Sequence, residues 1–303
     1  MPTCSCGAVF AVKSIGKAVY HCHSCKNEWA PVSAFYDLSL SPHSYDFLTF
    51  LVISRAHGCN HTVFVPGEKA YQKCSPEEMQ FRLDHLLIPL AKMSGDYTVC
   101  KSREEAREFE PTFPVGYTVD TPKHSHMLGK LLAGGRASWL EAPDLDVPRG
   151  KVTITIRESR IKPLRNSNIG EWIKAAEQIE EMGYSVLFVP DTDNMQEFGR
   201  FESYPQASLD PAVRLALYSK SVLNLGINNG PMAMCMYSRM PYIVFMRCDE
   251  AFDETSSHFF NRNGFPKGSQ FPWRKDRQLL VWEQDKAESI VNHVKQWEGR
   301  KAA

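Results

Sequence analysis

The sequence predicts an α/β protein, with two Rossmann-like parallel-sheet domains behind a small cysteine-rich module. Three observations carry this prediction. Apolar, strand-length runs alternate with helix-period segments through two successive stretches of chain, and such alternation is the signature of parallel strands joined by helical crossovers. The segment Asp144 to Gly150, DLDVPRG, interrupts the pattern, which then restarts. Four of the nine cysteines lie between Cys4 and Cys25. The expected organisation is therefore residues 1–30, 31–147 and 148–303.

Composition narrows the class. The chain has 303 residues, 43% of them hydrophobic and 23% charged, with a formal net charge of zero. No global field draws it to nucleic acid or to an anionic membrane, so a nucleic-acid partner is not favoured. No apolar run approaches the roughly 18 residues of a membrane span. The opening MPTCSC has neither the basic region nor the apolar core of a secretory signal, and a cytoplasmic location is expected. Cys59, Cys74, Cys100, Cys235 and Cys248 are scattered and read as reduced thiols.

The first module reads as a zinc ribbon. Cys4-x-Cys6 and Cys22-x-x-Cys25 are two close pairs, and two such pairs on facing turns supply the four soft ligands that tetrahedral zinc prefers. Ala8 to Lys13 and Lys17 to His21 are the strands between them. The first pair is one residue shorter than the usual spacing, so His21 or His23 can stand in for one thiolate. The zinc is expected to be structural, because so small a core gains much of its stability from the metal.

In residues 31–147, strands are expected at Phe35 to Leu40, His61 to Val65 and Tyr97 to Cys100. Helices are expected from Tyr45 to Ala56, from Ser75-Pro76-Glu77-Glu78 to about Met93, and from Ser125 to Ala133. In residues 148–303, strands fall at Lys151 to Ile156, Tyr184 to Val189, Val222 to Leu225, Tyr242 to Met246 and Gln278 to Trp282. Helices fall at Asn168 to Met182, Asp210 to Ser219, Met232 to Met240 and Lys286 to Trp297. The most informative stretch is Ser221 to Met246, which reads strand, Asn228-Asn229-Gly230 turn, Pro231, short helix, strand. Pro231 suits a first helical position, and a Gly at a helix mouth lets an anion such as a diphosphate approach bare N–H groups. An ordinary βα connection has the same local pattern.

The run DPAVRLALYSKSVLNLGINNGPMAM, with Asn228-Asn229-Gly230-Pro231-Met232 at its turn, resembles the donor-diphosphate turn of GT-B glycosyltransferases, and of heptosyltransferase-like ones in particular. The likeness covers about Leu209 to Phe245 and elsewhere only the layout. It departs at Asn229, where the family has an acid, and at Ala233, where it has a histidine. The resemblance implies a GT-B-like pair of domains and transfer of a sugar from a nucleotide-sugar co-substrate to an acceptor, which can be a macromolecule. It also implies that 31–147 is the acceptor side and 148–303 the donor side.

Such transfer needs a clamp for the leaving diphosphate and a base for the acceptor hydroxyl. Arg157, at a strand end, is the first cation expected on the diphosphate, with Arg160 or Arg165 beside it. Asn166 and Asn168 can hydrogen-bond sugar or ribose, or simply cap a helix. Asp191 is expected to meet nucleoside hydroxyls, and Asp191 with Asp193 is the weaker candidate for a metal pair. The base is expected in the SPHSYD loop, with Asp46 placed ahead of His43 and Glu158 next in line. Two other readings fit the same residues: a nucleotide-sugar epimerase-type enzyme, and a non-catalytic zinc-ribbon protein that binds a nucleotide or a partner.

Overall fold

A computed structural model describes residues 6–7, 10–14, 19–29, 31–67, 75–110, 112–114, 116–121, 139–252, 255–262 and 264–299. The chain divides into two compact units between Trp139 and Leu140. The helix expected from Ser125 to Ala133 lies outside the described residues.

The first unit opens with strands β1 (Phe10–Ser14), β2 (Val19–Cys22) and β3 (Glu28–Trp29), an antiparallel sheet in that order. Its second sheet is parallel: β4 (Ser33–Asp37), β5 (His61–Val65) and β6 (Asp96–Val99), again in order. Helix Phe47–Ala56 follows the first of these strands and is buried on most sides, with Phe47, Leu48, Phe50, Leu51, Val52 and Ile53 all inaccessible. Its Phe47 and Phe50 rings meet Tyr36 edge-on at 4.6 and 5.0 Å, a favoured aromatic geometry.

The carboxyl end of β4 is fixed by a buried charge. Asp37 is 1% exposed. It accepts from the Ser39 N–H (2.9 Å) and hydroxyl (2.5 Å), from Arg103 Nη1 (2.9 Å) and from the Tyr117 hydroxyl (2.5 Å). Burial, then the bond to Asp37, pushes the Tyr117 hydroxyl above the ordinary phenol range. Arg103 also donates to Pro66 O and Val119 O. One carboxylate thus ties together the strand ends and the start of the loop carrying His43.

The second unit has five parallel strands: β7 (Val152–Thr155), β8 (Val186–Val189), β9 (Leu223–Ile227), β10 (Tyr242–Phe245) and β11 (Gln278–Val281). Their order is β11-β10-β9-β7-β8. The chain winds from β7 outward to β8, then returns to the other side of β7 for β9. Strand order therefore reverses between β7 and β9, and in such sheets ligands bind beyond the carboxyl ends at that reversal. These two parallel sheets bear out the α/β class expected from sequence.

The two faces of this sheet differ. One is apolar: Val152, Ile154, Leu223, Leu225, Ile243 and Phe245 form a core with residues of helices Ile169–Glu181 and Ala287–Gly299. The other carries polar groups linked by hydrogen bonds, one of which joins β7 to helix Pro211–Lys220. Thr153 donates to Asn224 (2.6 Å), Thr155 pairs with the Tyr218 hydroxyl (2.6 Å), and Arg214 donates to that hydroxyl (3.1 Å) and to Ala207 O (2.6 Å). Asp210 caps the helix through Ala212 N–H, as the Asp-Pro start predicts. Residues 144–150 lie against this unit, where Lys220 Nζ reaches Asp144 at 2.8 Å and Gly150 N–H donates to Lys220 O.

Two helices differ from expectation. The helix beyond Pro231 covers only Ala233–Met236, where the sequence suggests Met232 to Met240. Ser238 is the reason: its hydroxyl bonds Cys235 O and accepts from Met240 N–H, offering the backbone an alternative to the helix. The helix begun at Ser75 is capped as predicted, Ser75 Oγ accepting from Glu78 N–H (3.1 Å), but it widens to a π turn at Leu83–Leu87. Pro89 follows that turn and has no N–H to give the preceding one.

Gly226 makes β9 narrow where the turn packs on it. A Cβ there would lie 3.0 Å from Met232 Cγ and 3.1 Å from Thr155 O. Replacing Gly226 by Ala should therefore cost about 1–3 kcal/mol, the usual range for forcing an extra carbon into a packed site. Chemical denaturation measures this, and an unchanged midpoint would show that the turn does not press on the strand.

Candidate functional site

Four loops follow carboxyl ends of the second unit's sheet. After β7, residues 156–168 form a tight structure around the Arg157 guanidinium. It donates to Ile161 O (2.6 Å), Lys162 O (3.3 Å) and Asn166 Oδ1. Asn166 returns a bond to Ser159 O (3.1 Å). Lys162 takes a left-handed conformation, φ 57°, which lets the chain double back within reach of one side chain. The predicted site residues Arg157 and Asn166 are thus brought together, and both hold the loop from inside.

The loop after β8 supports it. Asp191 accepts from the N–H groups of Glu158 and Asp193, both at 3.0 Å, and Asp193 accepts from Ser159 Oγ (3.1 Å) and Arg160 N–H (3.0 Å). Glu158 is half-buried against Gln196. Asn168 stands at the helix start with an exposed side chain that makes no capping bond. The acceptor there is Asp285, 3% exposed, which takes the Asn168 N–H (2.8 Å) and the Trp172 indole N–H (2.9 Å).

After β10 comes Arg247. It donates to Asn166 O (2.7 Å) and Leu164 O (3.2 Å), with its Nε 3.9 Å from Asp285. It therefore fastens the loop after β7 to the end of β10. Burial lowers the Arg157 pKa, and the nearby charges of Arg165 and Arg247 lower it further against the pull of Asp191 and Asp193. Three guanidiniums are in electrostatic reach of one another here.

After β9, the Asn228-Asn229-Gly230-Pro231-Met232 turn lies beside them. Asn229 Oδ1 accepts from Met232 N–H (3.0 Å), Gly230 is exposed, and the Met232 side chain is wholly buried over Gly226. A shallow surface depression, with room for about one water, is lined by Arg165, Asn228, Arg247, Asp249 and Thr255. Arg165 and Asn228 were expected from sequence. Arg247, Asp249, Thr255 and Asp285 were not, although Arg247 follows the run YIVFM as Arg157 follows VTITI.

In the first unit, the predicted His43 and Asp46 share one loop but have opposite surroundings. His43 is 1% exposed, and among the described residues nothing hydrogen-bonds its Nδ1. Burial, with a contribution from Arg82, lowers its pKa below the ordinary imidazole value. Asp46 is exposed and accepts from Ser44 Oγ (3.0 Å).

The cysteine module gathers three thiols. The Sγ atoms of Cys6, Cys22 and Cys25 lie within 4.8 Å of one another, Cys6 and Cys22 at 3.5 Å. Metal–sulfur bonds of about 2.3 Å put tetrahedral thiolates about 3.8 Å apart, so three corners of a metal site fit. The Cys25 N–H points to Cys22 Sγ, which brings that thiol down to about 6. The fourth predicted ligand, Cys4, lies outside the described residues.

No protein-family model and no curated protein matches the chain. Solved structures resemble it loosely. A bacterial iron-containing dodecameric glycosyltransferase, TibC from enterotoxigenic E. coli H10407, aligns at 13% identity and a TM-score of 0.41, over 85% of this chain and 67% of that one. The same heptosyltransferase in complex with ADP-D-beta-D-heptose aligns at 15% identity and 0.40, over 81% of this chain and 63% of that one. ADP-heptose lps heptosyltransferase II of E. coli aligns at 10% and 0.40, over 90% and 78%.

His43 gives a pH test. Its folded pKa is lowered, so below about pH 6.5 the unfolded chain binds the proton more readily. Its contribution should be intact above that value and lost as pH falls through it. Urea midpoints measured from pH 7.5 to 5 should fall for the wild type and fall less for His43→Phe. Equal slopes would place a solvated imidazole at position 43.

Proposed function

We propose that the chain is a nucleotide-sugar-dependent glycosyltransferase whose second unit binds the donor. The observation that carries this reading is the gathering of Arg157, Arg165 and Arg247 beside the Asn228–Met232 turn, at the strand-order reversal of a parallel sheet. Cations at that point suit a diphosphate, which needs neutralising as it leaves. Arg165 and Asn228 would contact its oxygens, with Gly230, Pro231 and the backbone of Met232 bounding the turn. Arg157, Asn166 and Arg247 would keep the loop in place, and Asp191 with Glu158 would hold its base. Asn168, exposed at the loop's end, is free to meet the nucleoside.

In this reading residues 31–147 are the acceptor side and residues 148–303 the donor side, as the resemblance to GT-B enzymes implies. The acceptor base would come from the first unit. His43 has a buried imidazole to offer, and Asp46 has an exposed carboxylate; Glu158 is the alternative from the donor side. The acceptor itself is unidentified, and a macromolecule presented by the cysteine module is consistent with the reading. That module would hold one structural zinc through Cys4, Cys6, Cys22 and Cys25.

Three measurements test this. Incubation with a panel of nucleotide sugars and candidate acceptors, followed by product analysis, should show sugar transfer. A product formed from the nucleotide sugar alone would favour an epimerase-type reaction. Arg165→Ala should weaken nucleoside diphosphate binding about ten- to hundredfold, the range for a charge-assisted contact of roughly 1.5–3 kcal/mol; unchanged affinity removes Arg165 from the clamp. Metal analysis should find one zinc per chain, and Cys22→Ser/Cys25→Ser should abolish it. Full occupancy in that variant would exclude the thiolate site.

A further inference from the structure

The loop after β7 is built inside out. Surface loops ordinarily leave their carbonyls to water. Here the carbonyls of Ile161, Lys162, Leu164 and Asn166 face inward onto Arg157 and Arg247. The side chains face the other way: Ile161 is 61% and Leu164 72% exposed, with Pro163 exposed between them. One exposed leucine is ordinary. These two share the hexapeptide Arg160-Ile161-Lys162-Pro163-Leu164-Arg165, in which cations alternate with apolar residues. The Arg160 side chain is 88% exposed, and Lys162 Nζ lies 5.8 Å over the half-buried Phe252 ring. The acids nearby serve their own loops. Asp191 accepts from the N–H groups of Glu158 and Asp193, Asp193 from Ser159 Oγ and Arg160 N–H, and Glu158 meets Gln196. The second unit's other exposed large apolar residues among those described, Met195 and Leu209, both follow β8, and Ser208 beside Leu209 reaches Pro190 O (2.7 Å). Exposed apolar surface of this unit is therefore gathered on the segments that leave β7 and β8.

An apolar tip flanked by cations complements a surface that is anionic at its face and apolar just beneath, which is the chemistry of an anionic lipid bilayer. The pinned backbone adds to this, because a tip ordered in advance has less freedom to lose on docking. Among the described residues no helix is long and apolar enough to cross a membrane, so attachment through this tip would be peripheral. We propose that residues 160–165 dock on an anionic lipid surface. Ile161 and Leu164 enter the headgroup layer, and Arg160 and Lys162 meet the lipid phosphates. A formal net charge of zero is no obstacle, since the attraction is local and falls away within a Debye length. The inference goes beyond the donor reading and does not depend on it.

Co-sedimentation of the full chain with vesicles tests this, using phosphatidylcholine alone and phosphatidylcholine mixed with phosphatidylglycerol. The wild type should bind the mixed vesicles, more weakly as salt rises, and the neutral ones less. Ile161→Ser/Leu164→Ser should weaken binding to the mixed vesicles about tenfold or more. Arg160→Gln/Lys162→Gln should lose the preference for the anionic lipid. Urea midpoints of both double variants should stay at the wild-type value, because the carbonyls that hold the loop remain. Leu164→Trp gives a second reading that removes no apolar surface: its fluorescence should shift to the blue when mixed vesicles are added. A wild type that does not bind the mixed vesicles overturns the proposal. So does binding unchanged in Ile161→Ser/Leu164→Ser, or a Leu164→Trp emission that does not move. Self-association of the wild type that the serine pair abolishes, without vesicle binding, would assign the tip to a second copy of the chain and overturn the lipid surface.

Discussion

The site depends on two guanidiniums turned onto backbone carbonyls. Arg157 takes the carbonyls of Ile161 and Lys162 and the Asn166 amide oxygen, and Arg247 takes those of Leu164 and Asn166. Loop carbonyls at a sheet edge are otherwise left to water. Gathering four of them around two fixed cations gives residues 157–168 one shape, although the segment has only the short helical turn Pro163–Arg165 of its own. The same bonds carry the consequence for ligands: they bring positive charge to the reversal of strand order.

Cations so close repel one another, and the fold offsets the cost in two ways. Asp191 and Asp193 sit against the loop and offset part of the repulsion felt by Arg157. Asp285, buried at the start of helix Ile169–Glu181, stands 3.9 Å from Arg247. An anion bound at that edge would offset the remaining repulsion. The first unit shows the opposite solution. There Asp37 is matched by Arg103, Tyr117 and Ser39, every oxygen is engaged, and the cluster fixes strand ends.

Much of the fold was legible in the sequence because it follows from local signals. His61–Val65 is the strand that alternation and flanking residues suggest, and Ser75 and Asp210 cap helices through the N–H groups such residues prefer. The short helix after Pro231 was overextended because Ser238 intercepts the backbone, a side-chain contact that periodicity does not register. Arg157 was named because it stands just past a strand, and it does follow β7; Asn228 was named from the turn that follows β9, and Arg165 as a second cation beside Arg157. Side-chain direction was not legible. Arg157 faces its own loop, Met232 packs on Gly226, and Asp191 serves the backbone, because each outcome is set by residues distant in sequence. Arg247 and Asp285 were missed for the same cause, since they meet Asn166 and Asn168 only across the sheet.

A crystal structure of the chain with a bound nucleoside diphosphate tests the central claim most directly. The phosphates should lie beyond the carboxyl ends of β7 and β9, touching Arg165 and the exposed Gly230 backbone, with the loop 157–168 unchanged. Phosphates seated elsewhere, or a loop that opens and releases Arg157 and Arg247 from its carbonyls to meet them, would contradict the account.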